Sequence, residues 1–309
     1  MLDLDIVDAH HHLWDLSGSY PWLQGPANPD RFTGDDSAIR VNYGVPEYLA
    51  DVEGLRLIGS VHVDAGAGNP LAEARWVQQV HDEMRLPTVA VAAADLAASD
   101  AAATLEELSS LPSTRGIRHI LNWHPDPNYS YVDRNDLLVD ETWLANFARL
   151  EGLGMSFDLQ VYPHQLEQAS RVAAAHPGIT VVLNHTGMPT SHDADHLALW
   201  RRGIAALADQ PNTYVKISGL GMTEHHWTLD SLRPFVRGAI EAFGPHRSMF
   251  ASNFPVDHLY SSYGELYAAF DELTADLSLA ERRDLFSGTA IRVYRLPQAE
   301  LLVGRDGAS

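Results

Sequence analysis

His10 and His12, in the run Asp8-Ala9-His10-His11-His12, stand two residues apart. Side chains two apart on a strand share a face, so both imidazoles point the same way. They can converge on one ion at about 2.0–2.1 Å or on one substrate oxygen. His11 faces the other way, as a packing residue. The same alternation gathers polar groups at the downstream ends of other strand-like runs: His62 and Asp64, Arg118 and Asn122, Asp158 and Gln160, then His185, Lys216 with Ser218, and Asn253. Apolar strand ends would suit a purely structural role. Carboxylates, imidazoles and fixed cations in one place suit water activation beside a polarised carbonyl. With no cysteine, thiolate chemistry is excluded, and any metal must take nitrogen and oxygen ligands.

Eight apolar, β-branched runs must position these groups: Ile6 to Leu13, Leu57 to Asp64, Thr88 to Asp95, Gly116 to Asn122, Ser156 to Tyr162, Thr180 to Thr186, Tyr214 to Gly219 and Met249 to Asn253. Helical spacing is found over Leu71 to Met84, Ala101 to Leu108, Trp143 to Leu150, Gln165 to Ala175, Ala194 to Ala208, Leu232 to Phe243 and Leu279 to Val293. Such alternation predicts a parallel sheet, and eight repeats without a glycine-rich dinucleotide turn predict an α/β fold of (β/α)8, or TIM-barrel, type. One domain spans residues 1–309. Two long segments, Asp15 to Asn42 and Trp123 to Asp140, follow strands and belong over the face where such barrels bind substrates. Trp14, Trp22, Trp123 and Tyr129 would give that face flat apolar walls, and the polar tail after Val303 is expected to fray.

Acidic residues number 41 against 21 basic ones, a formal charge of −20 that repels nucleic acid and anionic membrane surfaces. There is no basic leader and no run of 18 apolar residues, so a cytoplasmic location is expected. The partner is a small molecule; the oligomeric state is open, a homo-oligomer included.

The chain resembles the amidohydrolase-2 branch of the amidohydrolase superfamily, in particular its lactonase-like group acting on sugar lactones and pyrone dicarboxylates. The resemblance rests on Val7-Asp8-Ala9-His10-His11-His12-Leu13-Trp14, Gly116-Ile117-Arg118, Phe157-Asp158-Leu159-Gln160, Asn184-His185-Thr186-Gly187, Val215-Lys216-Ile217-Ser218-Gly219 and Met249 to Val256. It implies a barrel of the metal-dependent-hydrolase type that opens a cyclic ester, with His10, His12 and His185 in the site, one divalent metal (zinc before others) as the candidate cofactor, and Arg118 near an anionic or hydroxyl-rich substrate. Some members of the group work without metal. Where the group reads Ser-Asp-x-Pro, this chain has Ser252-Asn253-Phe254-Pro255, an amide in place of the carboxylate.

An amide is no base, so the proton acceptor is expected at Asp158, or less favourably at Asp257 beyond Pro255, and Asp158→Asn should do more damage than Asp257→Asn. Asn253 would orient water or donate to the oxyanion. His185 joins either the metal ligands or the acid–base groups, while Arg118, Trp123, Gln160 and Lys216 would hold substrate. Two other functions compete: a metal-dependent decarboxylase of an aromatic or unsaturated acid, told apart by release of CO2, and a non-catalytic binding barrel, told apart by the absence of product.

Overall fold

A computed structural model describes residues 3–302; the tail after Val303 lies outside them. Eight strands run β1 (Ile6–His11), β2 (Leu57–Val63), β3 (Val89–Ala93), β4 (Thr114–Ile120), β5 (Ser156–Gln160), β6 (Val181–Leu183), β7 (Thr213–Ile217) and β8 (Ser248–Phe250). All seven neighbouring pairs are parallel and in sequence order, the (β/α)8 barrel the sequence predicts. Just beyond the strand ends β8 meets β1: Asn253 N–H donates to His10 O at 2.7 Å and His12 N–H to Phe254 O at 2.7 Å. Beside these, the Asp8 carboxylate accepts from Ser252 N–H at 2.9 Å and Ser252 Oγ–H at 2.6 Å.

Alternation explains the layers. Val7 and Ala9, Val61 and Val63, and Val89 and Val91 send alternate side chains into one interior cluster, which Tyr294, the residue after the helix Thr289–Val293, joins. The opposite faces pack against the helices in a second, larger cluster. A register shift between Asp8 and His11 breaks strict alternation in β1. Asp8, between the inward Val7 and Ala9, faces outward to Tyr48 Oη at 3.0 Å. His10, after the shift, lies beside His12 and His185 instead of sharing the face of Asp8, while His11 stacks on the Tyr48 ring at 4.2 Å and pairs with Ser60 Oγ.

Helix starts follow the side chains available to cap them. Asn69 accepts from Ala72 N–H ahead of Pro70–Met84, Asp140 from Trp143 N–H ahead of Glu141–Leu153, and Thr228 from Ser231 N–H, which starts Leu229–Phe243 three residues before the predicted Leu232. The predicted helix from Leu279 to Val293 is three pieces: Leu279–Arg283, a π turn over Asp284–Gly288, and Thr289–Val293. The wide turn buries the consecutive Leu285 and Phe286, the latter against Phe250 at 4.8 Å. Spacing alone also missed the helices Val45–Asp51 and Tyr263–Leu273.

Strands β6 and β8 stop short of the predicted Thr186 and Asn253 because the backbone turns left-handed there, with φ of 53° at His185, 56° at Thr186 and 59° at Asn253. Non-glycine residues adopt that region only at a cost, and such strain gathers at functional sites. Both turns lie at the carboxyl ends of their strands.

Candidate active site

A cavity of about 370 Å3 opens at this end of the barrel. His12, Arg118, Gln160, His185 and Asn253 form its floor, each on or just past a different strand. The two long loops roof it, Trp22, Arg31 and Phe32 coming from the first and Asn128, Ser130 and Tyr131 from the second. The loops touch through Asn28 and Asn128, whose amides lie 3.4 Å apart, and through Phe32 against Tyr129 and Tyr131. Tyr260 Oη–H donates to Thr33 O at 2.6 Å and His225 Nε2 lies 2.8 Å from Phe32 O, fastening the first loop to the far rim.

The imidazoles are held neutral. Burial lowers His12 to about 4 and sets His10 and His185 well below the usual 6.5. His12 Nδ1–H donates to Val63 O at 2.8 Å, so a neutral ring accepts at Nε2, 3.2 Å from the Asn253 side-chain amide. That favours the half-turn of the amide that shows His12 its NH2 group. His185 Nδ1 lies 3.0 Å from Ser218 Oγ, and its other nitrogen is left for the cavity. His10 is behind both rings, with centroids 4.9 Å from His12 and 4.5 Å from His185 and neither ring nitrogen partnered.

Gly219 makes room for His185. At φ 62° an added Cβ would sit 2.5 Å from His185 Nδ1. Gly219→Ala should therefore push the ring aside and lower kcat/KM at least about tenfold, since small displacements of a catalytic group are expensive. Gly154→Ala is the control: it has the same strained backbone at φ 64° but open space around it. Steady-state kinetics on both variants, corrected for folded fraction, should show the loss in Gly219→Ala alone.

Arg118 is clasped from the side. Its Nε–H donates to Asp64 Oδ2 at 2.6 Å, one terminal N–H to Asp64 O at 2.5 Å and another to Gln160 Oε1 at 3.1 Å. Two of the five guanidinium N–H bonds remain for substrate. Behind Asp64, Glu73 accepts from Ala65 N–H at 2.7 Å with its other oxygen unpartnered, and burial, then the Asp64 charge, push it up to about 8. The folded chain thus keeps a proton that the unfolded chain loses above pH 4.5, so this group costs stability as pH rises from 4.5 to 8. The buried histidines act oppositely, and only below 6.5. Wild-type stability should fall by about 3 kcal/mol between pH 6.5 and 8, Glu73 and the similarly raised Asp257 contributing about equally, and urea unfolding of Glu73→Gln should show about half of that fall removed.

Several expected site residues stand elsewhere. Asp158 and Lys216 are sealed below the floor, Lys216 Nζ 2.6 Å from Asp158 Oδ2 and Tyr294 Oη–H reaching the same carboxylate at 2.9 Å. Both are fully buried and neither lines the cavity where a proton acceptor or a substrate ligand is expected. Alternation had put them on the inner face, but it does not report depth: Gln160 and Ser218, two residues on, reach the level of the cavity and of His185. Trp123 is also off the cavity, its ring against His164 at 6.2 Å and its backbone N–H donating to Gln165 Oε1. Trp14 is buried edge-on against Trp22, and only Trp22 reaches the cavity. Asp257, on the 3-10 turn Val256–Leu259, is buried behind Asn253. Neither oxygen makes a well-formed hydrogen bond, and burial pushes the carboxyl up to about 8. Sequence reasoning missed Asn28, Arg31, Asn128 and Tyr131, whose only signal was membership of the two long loops.

Unpartnered His10 beside two imidazoles is donor chemistry that suits zinc. As they stand, however, no three His, Asp or Glu side chains among the described residues are arranged to grip one ion. No helix among these residues is long and apolar enough to cross a membrane.

An eight-stranded barrel with imidazoles, an amide and an arginine meeting at its carboxyl end is the architecture of barrel hydrolases. The amidohydrolase family model matches residues 7–296, and the chain belongs to that family and is a hydrolase. A Sinorhizobium fredii protein described as uncharacterised is 40% identical over 96% of this chain and all of its own length. An L-fucono-1,5-lactonase of Burkholderia multivorans is 30% identical over 94% of this chain and 96% of its own. An amidohydrolase from Burkholderia multivorans, crystallised with bound zinc, superposes with a TM-score of 0.81 at 26% identity, over 94% of this chain and 99% of that one.

Proposed function

We propose that this protein opens a small lactone by attack of water. The observation that carries the reading is the convergence of His185, Asn253, His12 and Arg118 on one cavity; similarity to a fuconolactonase along nearly the whole chain supports it. Arg118 donates its spare N–H bonds to the ester carbonyl, which it polarises, and the Asn253 amide holds the water. His185, with Nδ1–H on Ser218, takes the water proton at Nε2 as the water oxygen bonds to the carbonyl carbon. The ring C–O bond then breaks, and the same nitrogen returns the proton to the departing alkoxide. The product is a hydroxy acid. Asp257, mostly protonated at neutral pH, supports Asn253 and is not the base.

Zinc, seen in the Burkholderia structure, is the cation to look for by elemental analysis; zinc present in the wild type and lost in His10→Ala would locate it at His10. A cytoplasmic location fits the acidic, cysteine-free composition.

The reading is tested with a panel of sugar-acid 1,4- and 1,5-lactones and a pH indicator. Proton release faster than spontaneous opening is expected for at least one of them. No release from any, with the protein folded, refutes the proposal.

A further inference from the structure

The lining of the cavity has an uneven charge. Three of its side chains carry fixed charge: Arg118, Asp64 and Arg31. Arg118 and Asp64 answer each other at 2.6 Å. Arg31 has no ion-pair partner among the described residues, and its guanidinium makes no hydrogen bond there. It stands exposed on the roof loop, while His185 and Asn253 are buried on the floor, and the neutral amides of Asn28 and Asn128 are also in the lining. In a chain of net charge −20, a cavity whose one uncompensated charge is positive selects for an anion.

We propose that the substrate is an anionic lactone, carrying a carboxylate on the arm away from the ester, and that Arg31 grips that carboxylate while the ester rests on the floor. The proposal rests on the lactonase reading and names its substrate class. A guanidinium fork suits a carboxylate through two parallel N–H···O bonds, and the neighbouring amides can satisfy what the fork leaves. Arg118 is not the first choice for this grip because Asp64 already neutralises it and Gln160 fixes a third N–H. A cavity of about 370 Å3 is at the small end of ligand sites and fits a six-carbon lactone. Since Arg31 is on the roof loop and the groups proposed to act on the ester are on the floor, its loss should weaken substrate binding and leave turnover nearly intact.

The test uses two lactones that differ only at the terminal carbon, D-glucaro-1,4-lactone, a carboxylate, and D-glucono-1,4-lactone, a neutral alcohol. Wild type should show a KM at least about tenfold lower for the glucarolactone. Arg31→Gln should raise that KM about tenfold, leaving kcat and the gluconolactone values unchanged, and Arg31→Lys should restore part of the difference. Equal effects of Arg31→Gln on both lactones, or a wild-type preference for the neutral one, overturn the proposal while leaving the lactonase reading in place. If neither lactone is opened, thermal shift with glucarate decides separately. Stabilisation of wild type but not of Arg31→Gln supports anion recognition by Arg31, and equal or absent stabilisation refutes it.

Discussion

His185→Ala is expected to lower kcat/KM by about 10²–10⁴, the usual contribution of a positioned acid–base group, while urea unfolding of the variant stays cooperative. The ring is nearly buried but fronts a cavity, and its only hydrogen bond is to Ser218 Oγ, so truncation leaves room for water in place of an unpaired buried charge. The pH profile is the sharper readout. Wild-type activity should decline as acid protonates a base titrating below 6.5, and the residual activity of His185→Ala should lack that limb. Turnover equal to wild type in a folded His185→Ala would remove His185 from the reaction.

The second large effect concerns folding. Lys216→Met leaves the Asp158 carboxylate buried with only the Tyr294 hydroxyl for company, and should cost about 3–5 kcal/mol, the range for breaking a buried ion pair from one side. Lys216→Met combined with Asp158→Leu removes both charges and should recover much of the loss. In a double-mutant cycle read by urea unfolding, the coupling between the two sites should be large. A loss under about 1 kcal/mol with a collapse of kcat would return Lys216 to the chemistry.

The barrel could be read from the sequence because each strand is a short apolar run and each following helix has its own period. The placement of His12 and Asn253 could be read from parity and strand position. What escaped has physical reasons. Asp158 and Gln160 share a face, and nothing in their spacing says that Tyr294, more than a hundred residues later, closes over the lower one. That Asp8 and His10, two residues apart, face opposite ways depends on a register shift that leaves no mark on composition. Arg31 and Asn128 lie in loops, where no periodicity ties a side chain to a face. Asp257 was placed correctly in the turn after Pro255, but its burial depends on packing against Gly221 and the end of β7, which local sequence does not encode.

The contacts that join β8 to β1 also fix when the site comes into being. His12 and Asn253 are 241 residues apart in the chain, yet they share one hydrogen bond. A polypeptide emerging during synthesis owns the opening histidines from its first moments but has no pocket until its final strand returns to meet them. Catalytic competence should therefore be all-or-none in folding, a late and abrupt signal that the barrel has closed.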